Sequence, residues 1–281
     1  MKPLFSYYGG KQRMSHNITP IIDSIPHKVY VEPFAGGATM YWAKAMHVGL
    51  VGNNNDYRDV LNDTNDELIN FFRVCQDRDS FKELLHRLKY TPHSRELYAH
   101  AKLVTETAPE LDRAWAWYIL IEGSYAHGYR KGYAYGVTTQ NNADTYRRGV
   151  DELHQTFDAI VSRLRSTFIE RVDALVCIQK YDSPHTLLYL DPPYIDTHQG
   201  HYKGYTREDY GKLLECLSNC QSSFVLSGYM NDMVPKEWEC VSFDAHSSAS
   251  AGRNGEGRGA RVESVWVVRR GMGLVGGQME F

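Results

Sequence analysis

The chain has 281 residues, 42% of them hydrophobic and 23% charged, enough to bury a sizeable core as one large domain or two. No apolar run is long enough to span a bilayer, and Met1-Lys2-Pro3-Leu4-Phe5 lacks the apolar core and cleavage site of a secretory signal. A membrane or exported protein is thereby argued against, and the cytoplasm is the expected compartment. The formal net charge of −3 does not announce a nucleic-acid partner, which leaves that question to local clusters of Lys and Arg.

In chain order, residues 29–32 read as a short buried strand, 34–38 as a turn of mostly small residues and 39–47 as a helix. A second strand is expected over 59–62, ending on Asp63, followed by a helix over 66–74 with Leu68, Ile69 and Phe72 at helical spacing. From 77 to 120 the pattern turns to helices without strands: Phe81, Leu84, Leu85 and Leu88 share one face, and further helices are expected over 97–104 and 114–120. Residues 122–148 are poor in aliphatics and dense in Gly, Tyr and Asn, and a stretch that long marks a functional loop. Helical spacing returns over 153–168 through Phe157, Ile160, Val161 and Leu164. A strand is expected near 168–171, others at 186–190, 224–227 and 263–269, with a helix over 207–218 and a loose Gly-rich tail, 271–281. The outline is an α/β fold with a parallel sheet, built from residues 1–75 plus 170–281 and interrupted by a mostly helical insertion, 76–169.

The five cysteines, Cys75, Cys177, Cys216, Cys220 and Cys240, are odd in number and scattered, which argues for reduced thiols. Cys216 and Cys220 could share a helix face near His198 and His201, but without a Cys-x-x-Cys knuckle ordinary thiols are expected and no metal. Two stretches are basic: 129–131 continuing to Arg147 and Arg148, and 253–261.

Three features carry chemistry. A strand running into Gly36-Gly37 lets backbone approach a ligand at the carboxyl end of a sheet, where open α/β folds bind nucleosides. Asp63 ends the next strand, where Rossmann-like folds place the carboxylate that accepts ribose hydroxyls; the plain alternative is a cap for the following helix. No phosphate-binding Lys-Ser/Thr follows the turn. In Leu188-Tyr189-Leu190-Asp191-Pro192-Pro193-Tyr194, two prolines end the ladder and leave the Asp191 carboxylate and the Pro192 carbonyl as bare acceptors, with an aromatic ring after them. An NH2 group on a flat ring would fit them: two acceptors for its two protons and Tyr194 for its face. A simple strand terminator is the alternative.

The segments 5–11 (Phe-Ser-Tyr-Tyr-Gly-Gly-Lys), 31–37 (Val-Glu-Pro-Phe-Ala-Gly-Gly), 62–65 (Asn-Asp-Thr-Asn) and 191–194 (Asp-Pro-Pro-Tyr), in that order, resemble the Dam-type family of N6-adenine DNA methyltransferases. The resemblance implies a Rossmann-like S-adenosylmethionine-dependent sheet domain, with S-adenosylhomocysteine as product. It implies cofactor contacts from Tyr7, Lys11, Phe34, Gly36, Gly37, Asp63, Asp173 and Asp191, and catalysis by Asp191, Pro192 and Tyr194. The insertion would be the target-recognition domain on double-stranded DNA, because an adenine inside a duplex must be flipped out to reach a recessed site. Arg130, Lys131, Tyr133 and Tyr135 have residue types suited to phosphates, guanine edges and stacking; Arg253, Asn254, Arg258 and Arg261 match a basic DNA-contacting loop of the family. No membrane and no required protein partner is expected.

The chain departs from relatives that read GATC at residues 122–130 and 134–136, so its recognition sequence is left open. Two rivals follow from the same residues: transfer to cytosine N4, and a silent DNA-binding relative, against which the intact Asp191–Tyr194, Lys11 and Asp63 speak.

Overall fold

The computed structural model describes residues 1–7, 9–46, 57–124, 129–130, 132–134, 142–195, 204–243 and 263–270. Among these, seven strands form one sheet: β1 (Val29–Glu32), β2 (Arg58–Asn62), β3 (Thr167–Glu170), β4 (Thr186–Leu190), β5 (Ser223–Tyr229), β6 (Glu239–Phe243) and β7 (Glu263–Val268). Their order is β3-β2-β1-β4-β5-β7-β6, parallel except for β7, which runs antiparallel to both β5 and β6.

The central strands β1, β4 and β5 are mainly apolar because both faces are covered. Strand alternation sorts their side chains: Val31, Leu188, Leu190, Phe224 and Leu226 point to one face, where they meet α9 (Ala174–Tyr181) and α10 (Arg207–Asn219) through Ile178, Leu213 and Leu217. Tyr30, Leu187, Tyr189 and Val225 point to the other, against α1 (Ser15–Ser24), α2 (Thr39–Ala43), α3 (Asp66–Gln76) and α8 (Phe157–Arg165). β1 lies between β2 and β4, so the chain order reverses beside it. In open α/β sheets that reversal opens a crevice at the carboxyl ends of the strands.

The insertion is helical: α4 (Arg78–Lys89), α5 (Arg95–Ala101), α6 (Glu110–Glu122) and α7 (Asn142–Gln155). Its side chains Phe81, Leu84, Leu88, Trp117 and Tyr118 belong to the same apolar cluster as Leu4, Phe5, Tyr30 and Phe71, so insertion and sheet share one core. Arg113 fastens α6 to the start of α3 by reaching Asp66 at 2.7 Å and Glu67 at 3.2 Å.

Several boundaries differ from the sequence expectation. α2 stops at Ala43 instead of running to 47, and Lys44 is extended at ψ 155°. The Arg163 guanidinium donates to the carbonyls of Tyr41 and Trp42, and the Met1 amino group to Trp42 at 2.9 Å, so tertiary donors satisfy the helix end. Lys44 turns inward to Asp59 at 2.9 Å. The loop expected to reach 148 ends by Asn142, because α7 buries Tyr146, Val150 and Leu153 at helical spacing beneath an otherwise polar surface. The single helix expected over 153–168 is instead the end of α7 and α8, followed by β3. α1 has Pro20 inside it and still forms, with Ile18 and Ile22 fully buried; α1, α9 and the edge strand β6 were not anticipated.

Candidate active site

The crevice is built from three chain turns. After β1, Pro33 to Ala38 form a tight turn in which Gly36 has φ 47° and Ala38 φ 52°. Gly36 N donates to Asp63 Oδ2 at 3.0 Å, and Asn65 N donates to Asp63 Oδ1 at 2.9 Å. Asp63 thus clips the turn after β1 to the segment after β2. The cap of α3 is Asn65, whose side chain accepts from Glu67 N and Leu68 N, so the helix-cap alternative for Asp63 does not hold. Burial pushes the Asp63 carboxyl up, and the backbone N–H groups restrain the rise.

Tyr7 packs on this turn: a Cβ on Gly37 would lie 3.0 Å from Tyr7 Cβ, tighter than ordinary contact, so a side chain there would have to push Tyr7 aside. Buried Asn62 adds a second brace, donating to Pro33 O at 2.9 Å and accepting from Val172 N at 2.9 Å. That bond fixes the segment leading to Asp173, whose exposed carboxylate caps α9 by accepting from Leu175 N at 2.8 Å. Phe34 meets Tyr205 edge to face at 6.3 Å.

Beside β1, β4 ends at Leu190 and Asp191 follows. Register places Val31 opposite Leu188, so Asp191 and the glycine turn emerge at the same edge. Asp191 Oδ1 lies 3.0 Å from Lys11 Nζ, which also lies 3.0 Å from Glu263 Oε1 and 4.5 Å from the centroid of the Tyr194 ring. The Tyr194 hydroxyl donates to Glu263 Oε1 at 2.6 Å and lies 3.2 Å from Asp191 Oδ1 and 3.4 Å from Ser227 Oγ.

Burial raises the pKa of Asp191 while Lys11 pulls it down, leaving it above the usual carboxylate value. For Lys11 burial opposes the charge, but Asp191 and Glu263 outweigh it and its pKa is raised. Burial, with the two carboxylates, pushes the Tyr194 phenol up, so it stays a neutral donor. The cluster therefore sets the Lys11 ammonium between the Asp191 and Glu263 carboxyl groups, with the Tyr194 hydroxyl beside them.

Of the residues expected to act on DNA, Arg130 has φ 60° and its guanidinium stands over the Tyr129 ring at 5.3 Å. Tyr129 packs on Trp117 at 4.7 Å, and Trp117 on Tyr7 at 6.2 Å, so an aromatic chain joins this loop to the glycine turn. The Tyr133 hydroxyl contacts His93 Nδ1 at 2.7 Å, and Gly132 N donates to Tyr98 OH at 3.2 Å. Lys131, Tyr135, Arg253, Asn254, Arg258 and Arg261 lie outside the described residues, as do His198 and His201. Cys220 Sγ is engaged with Leu217 O at 3.2 Å. Sequence reasoning missed Glu263 and Ser227, which the structure brings to this cluster; the available signal was a lone carboxylate opening a strand that is apolar from Val265 to Val268.

The doubly wound sheet with an antiparallel seventh strand, and an Asp-Pro-Pro-Tyr turn at the end of β4, define a Rossmann-like methyltransferase. Residues 7–242 match the D12 class N6 adenine-specific DNA methyltransferase family, and the chain belongs to it. It is thus an adenine-specific DNA methyltransferase, with DNA as substrate and a methyl donor as cofactor. No curated protein matches. Among solved structures, "Putative methyltransferase yhhF from Escherichia coli" aligns at 9% identity and a TM-score of 0.35, covering 93% of this chain and 85% of that one. Among the described residues no helix is long and apolar enough to cross a membrane.

Proposed function

We propose that the chain uses S-adenosylmethionine to methylate N6 of an adenine flipped out of double-stranded DNA, with Asp191 and the Pro192 carbonyl as acceptors for the amine. The observation that carries this reading is the cluster of half-buried Asp191 and Tyr194 around the buried Lys11, beside the Asp63-clipped glycine turn. The donor chemistry fits the cofactor: a buried carboxylate for ribose hydroxyls, a glycine turn for close backbone approach, and a lysine committed to carboxylates rather than to a phosphate. Tyr7, Lys11, Phe34, Gly36, Gly37, Asp63 and Asp173 would hold it, and when bound it supplies an electrophilic methyl group.

The protein's part is to make a poor nucleophile attack. An aromatic amine delocalises its lone pair into the ring; two hydrogen bonds from its protons, to Asp191 and to the Pro192 carbonyl, favour the pyramidal form whose lone pair is free. The Asp191 carboxylate also stabilises the positive charge that develops on nitrogen. Tyr194 offers its ring to the base.

The insertion, expected over 76–169 and here α4 to α7 because α8 and β3 belong to the sheet body, is the target reader in this account, with Arg130 and Lys131 meeting the duplex and the basic stretch 253–261 joining them. The hydroxyl of Tyr133 is held at His93, so this residue anchors the loop in addition to any contact with DNA. Asp191→Ala should lose methyl transfer to DNA entirely while binding S-adenosylhomocysteine, measured by calorimetry, within roughly threefold of the parent. Retained transfer by that variant would overturn the assignment of Asp191.

A further inference from the structure

Glu263 opens β7, and the antiparallel register sets it opposite Tyr229 at the outer end of β5, on the edge where β4 also ends. Its Oε1 receives both Lys11 Nζ at 3.0 Å and the Tyr194 hydroxyl at 2.6 Å. A phenol has one proton, and the contact to Asp191 is longer at 3.2 Å, so Glu263 rather than Asp191 fixes the orientation of Tyr194. Lys11 is divided evenly between the two carboxylates.

Resting on the adenine-methyltransferase reading of Asp191, we propose that Glu263 is a positioning residue for methyl transfer, anchoring Lys11 and the Tyr194 hydroxyl so that Asp191 is released to the target amine. With Asp191 as sole partner, Lys11 would lock that carboxylate in an ion pair, and turning it toward the amine would strand a buried cation. Glu263 gives Lys11 a partner that stays in place throughout the reaction. It also pins the far end of the Tyr194 ring, whose face meets the base.

Among the described residues, the charged and titratable groups facing Asp191 are Lys11 from the N-terminal segment, Glu263 from β7, Tyr194 from the turn after β4 and Tyr189 on β4. Burial raises the Asp191 pKa, Lys11 lowers it and the like charge of Glu263 raises it. Neutralising Glu263 therefore moves the protonation of Asp191 to lower pH.

The experiment compares full-length wild type, Asp191→Ala, Glu263→Gln and Glu263→Ala, measuring kcat, KM for mixed-sequence DNA, the pH profile of kcat, and S-adenosylhomocysteine affinity. Glu263→Ala is expected to lose about a hundredfold in kcat with cofactor affinity kept within about threefold. Glu263→Gln retains an acceptor oxygen, so it should recover about tenfold of that loss, with its acid limb at lower pH than wild type. If Glu263→Ala does not fold, the near-isosteric Glu263→Gln decides by its acid limb. Wild-type kcat in the Glu263 variants overturns the inference, as does an equal loss in both with an unmoved acid limb. An active wild type, an inactive Asp191→Ala and unaffected Glu263 variants would sink this inference alone. A wild type that puts no methyl into DNA would sink the inference and the reading of Asp191 together.

Discussion

Two carboxyl groups at the carboxyl ends of β1 and β4, Glu32 and Asp191, have opposite requirements. In the proposed mechanism Asp191 has to be ionised to accept from an amine, yet burial raises its pKa and Lys11 only partly offsets this. The kcat of the wild type should therefore fall, as pH is lowered, above the ordinary aspartate range; an acid limb at about pH 4 or below in a kcat–pH profile would contradict this. Glu32 ends β1, and its Oε1 accepts from the Tyr30 hydroxyl at 2.7 Å and from Tyr41 N at 2.6 Å. Burial pushes its pKa up to about 8, against 4.5 for an ordinary glutamate, so between those values the folded chain holds a proton that the unfolded chain has lost. Its contribution to stability is full below the lower value and is lost as pH rises through the upper one. Glu32→Gln, which keeps the accepting oxygen, should flatten that decline, and thermal melts at about pH 5 and about pH 9 would show it as a smaller difference in Tm than the wild type has. Asp191, Tyr194 and Asp63 were legible because Pro-Pro after a hydrophobic strand and an acid at a strand end are local signals. Glu263 was not, since its partner Lys11 lies 252 positions away and only the antiparallel register of β7 brings them together.

Individual elements show where tertiary contacts overrule local pattern. β4 and β7 could be placed within a residue because continuous apolar runs bounded by charge or proline leave little freedom. α2 could not, because its end is set by Arg163 from 121 residues further on. Arg163→Met should destabilise the fold by about 2–4 kcal/mol in urea melts, since it strands the Tyr41 carbonyl, leaves the Trp42 carbonyl to the Met1 amino group and removes a cation packed 4.3 Å from the Tyr41 ring centroid. A loss below about 0.5 kcal/mol would show that these carbonyls find other donors. At the glycine turn, Gly37→Ala has to displace Tyr7, and about tenfold weaker binding of S-adenosylhomocysteine is expected by calorimetry, with melting temperature little changed. Unaltered affinity would remove Tyr7 and Gly37 from the cofactor site. The start of α7 was hidden because polar residues dominate it and only Tyr146, Val150 and Leu153 mark its buried face.

For the molecule as a whole, the order of motifs along the chain carried the α/β class, while the relation of the insertion to the sheet was not visible in sequence. Composition marks 77–120 as helical but cannot say what its apolar faces cover; the structure packs them into one core with the sheet-side residues Leu4, Phe5 and Phe71. Sharing that core predicts one cooperative unfolding transition, with far-UV circular dichroism and tryptophan fluorescence coinciding in urea; Trp42 reports from α2 and Trp117 from the insertion. Two separated transitions would show that the insertion folds on its own. The same packing runs Tyr7 to Trp117 to Tyr129, so the glycine turn and the segment carrying Arg130 are physically continuous. The central claim, that Asp191 and its neighbours deliver a methyl group to the adenine amine, is tested most directly by mass spectrometry of nucleosides digested from duplex DNA after incubation with the protein and labelled S-adenosylmethionine. Label should appear in N6-methyldeoxyadenosine with the wild type and in no nucleoside with Asp191→Ala. Label in N4-methyldeoxycytidine, or undiminished label with the variant, would contradict the account.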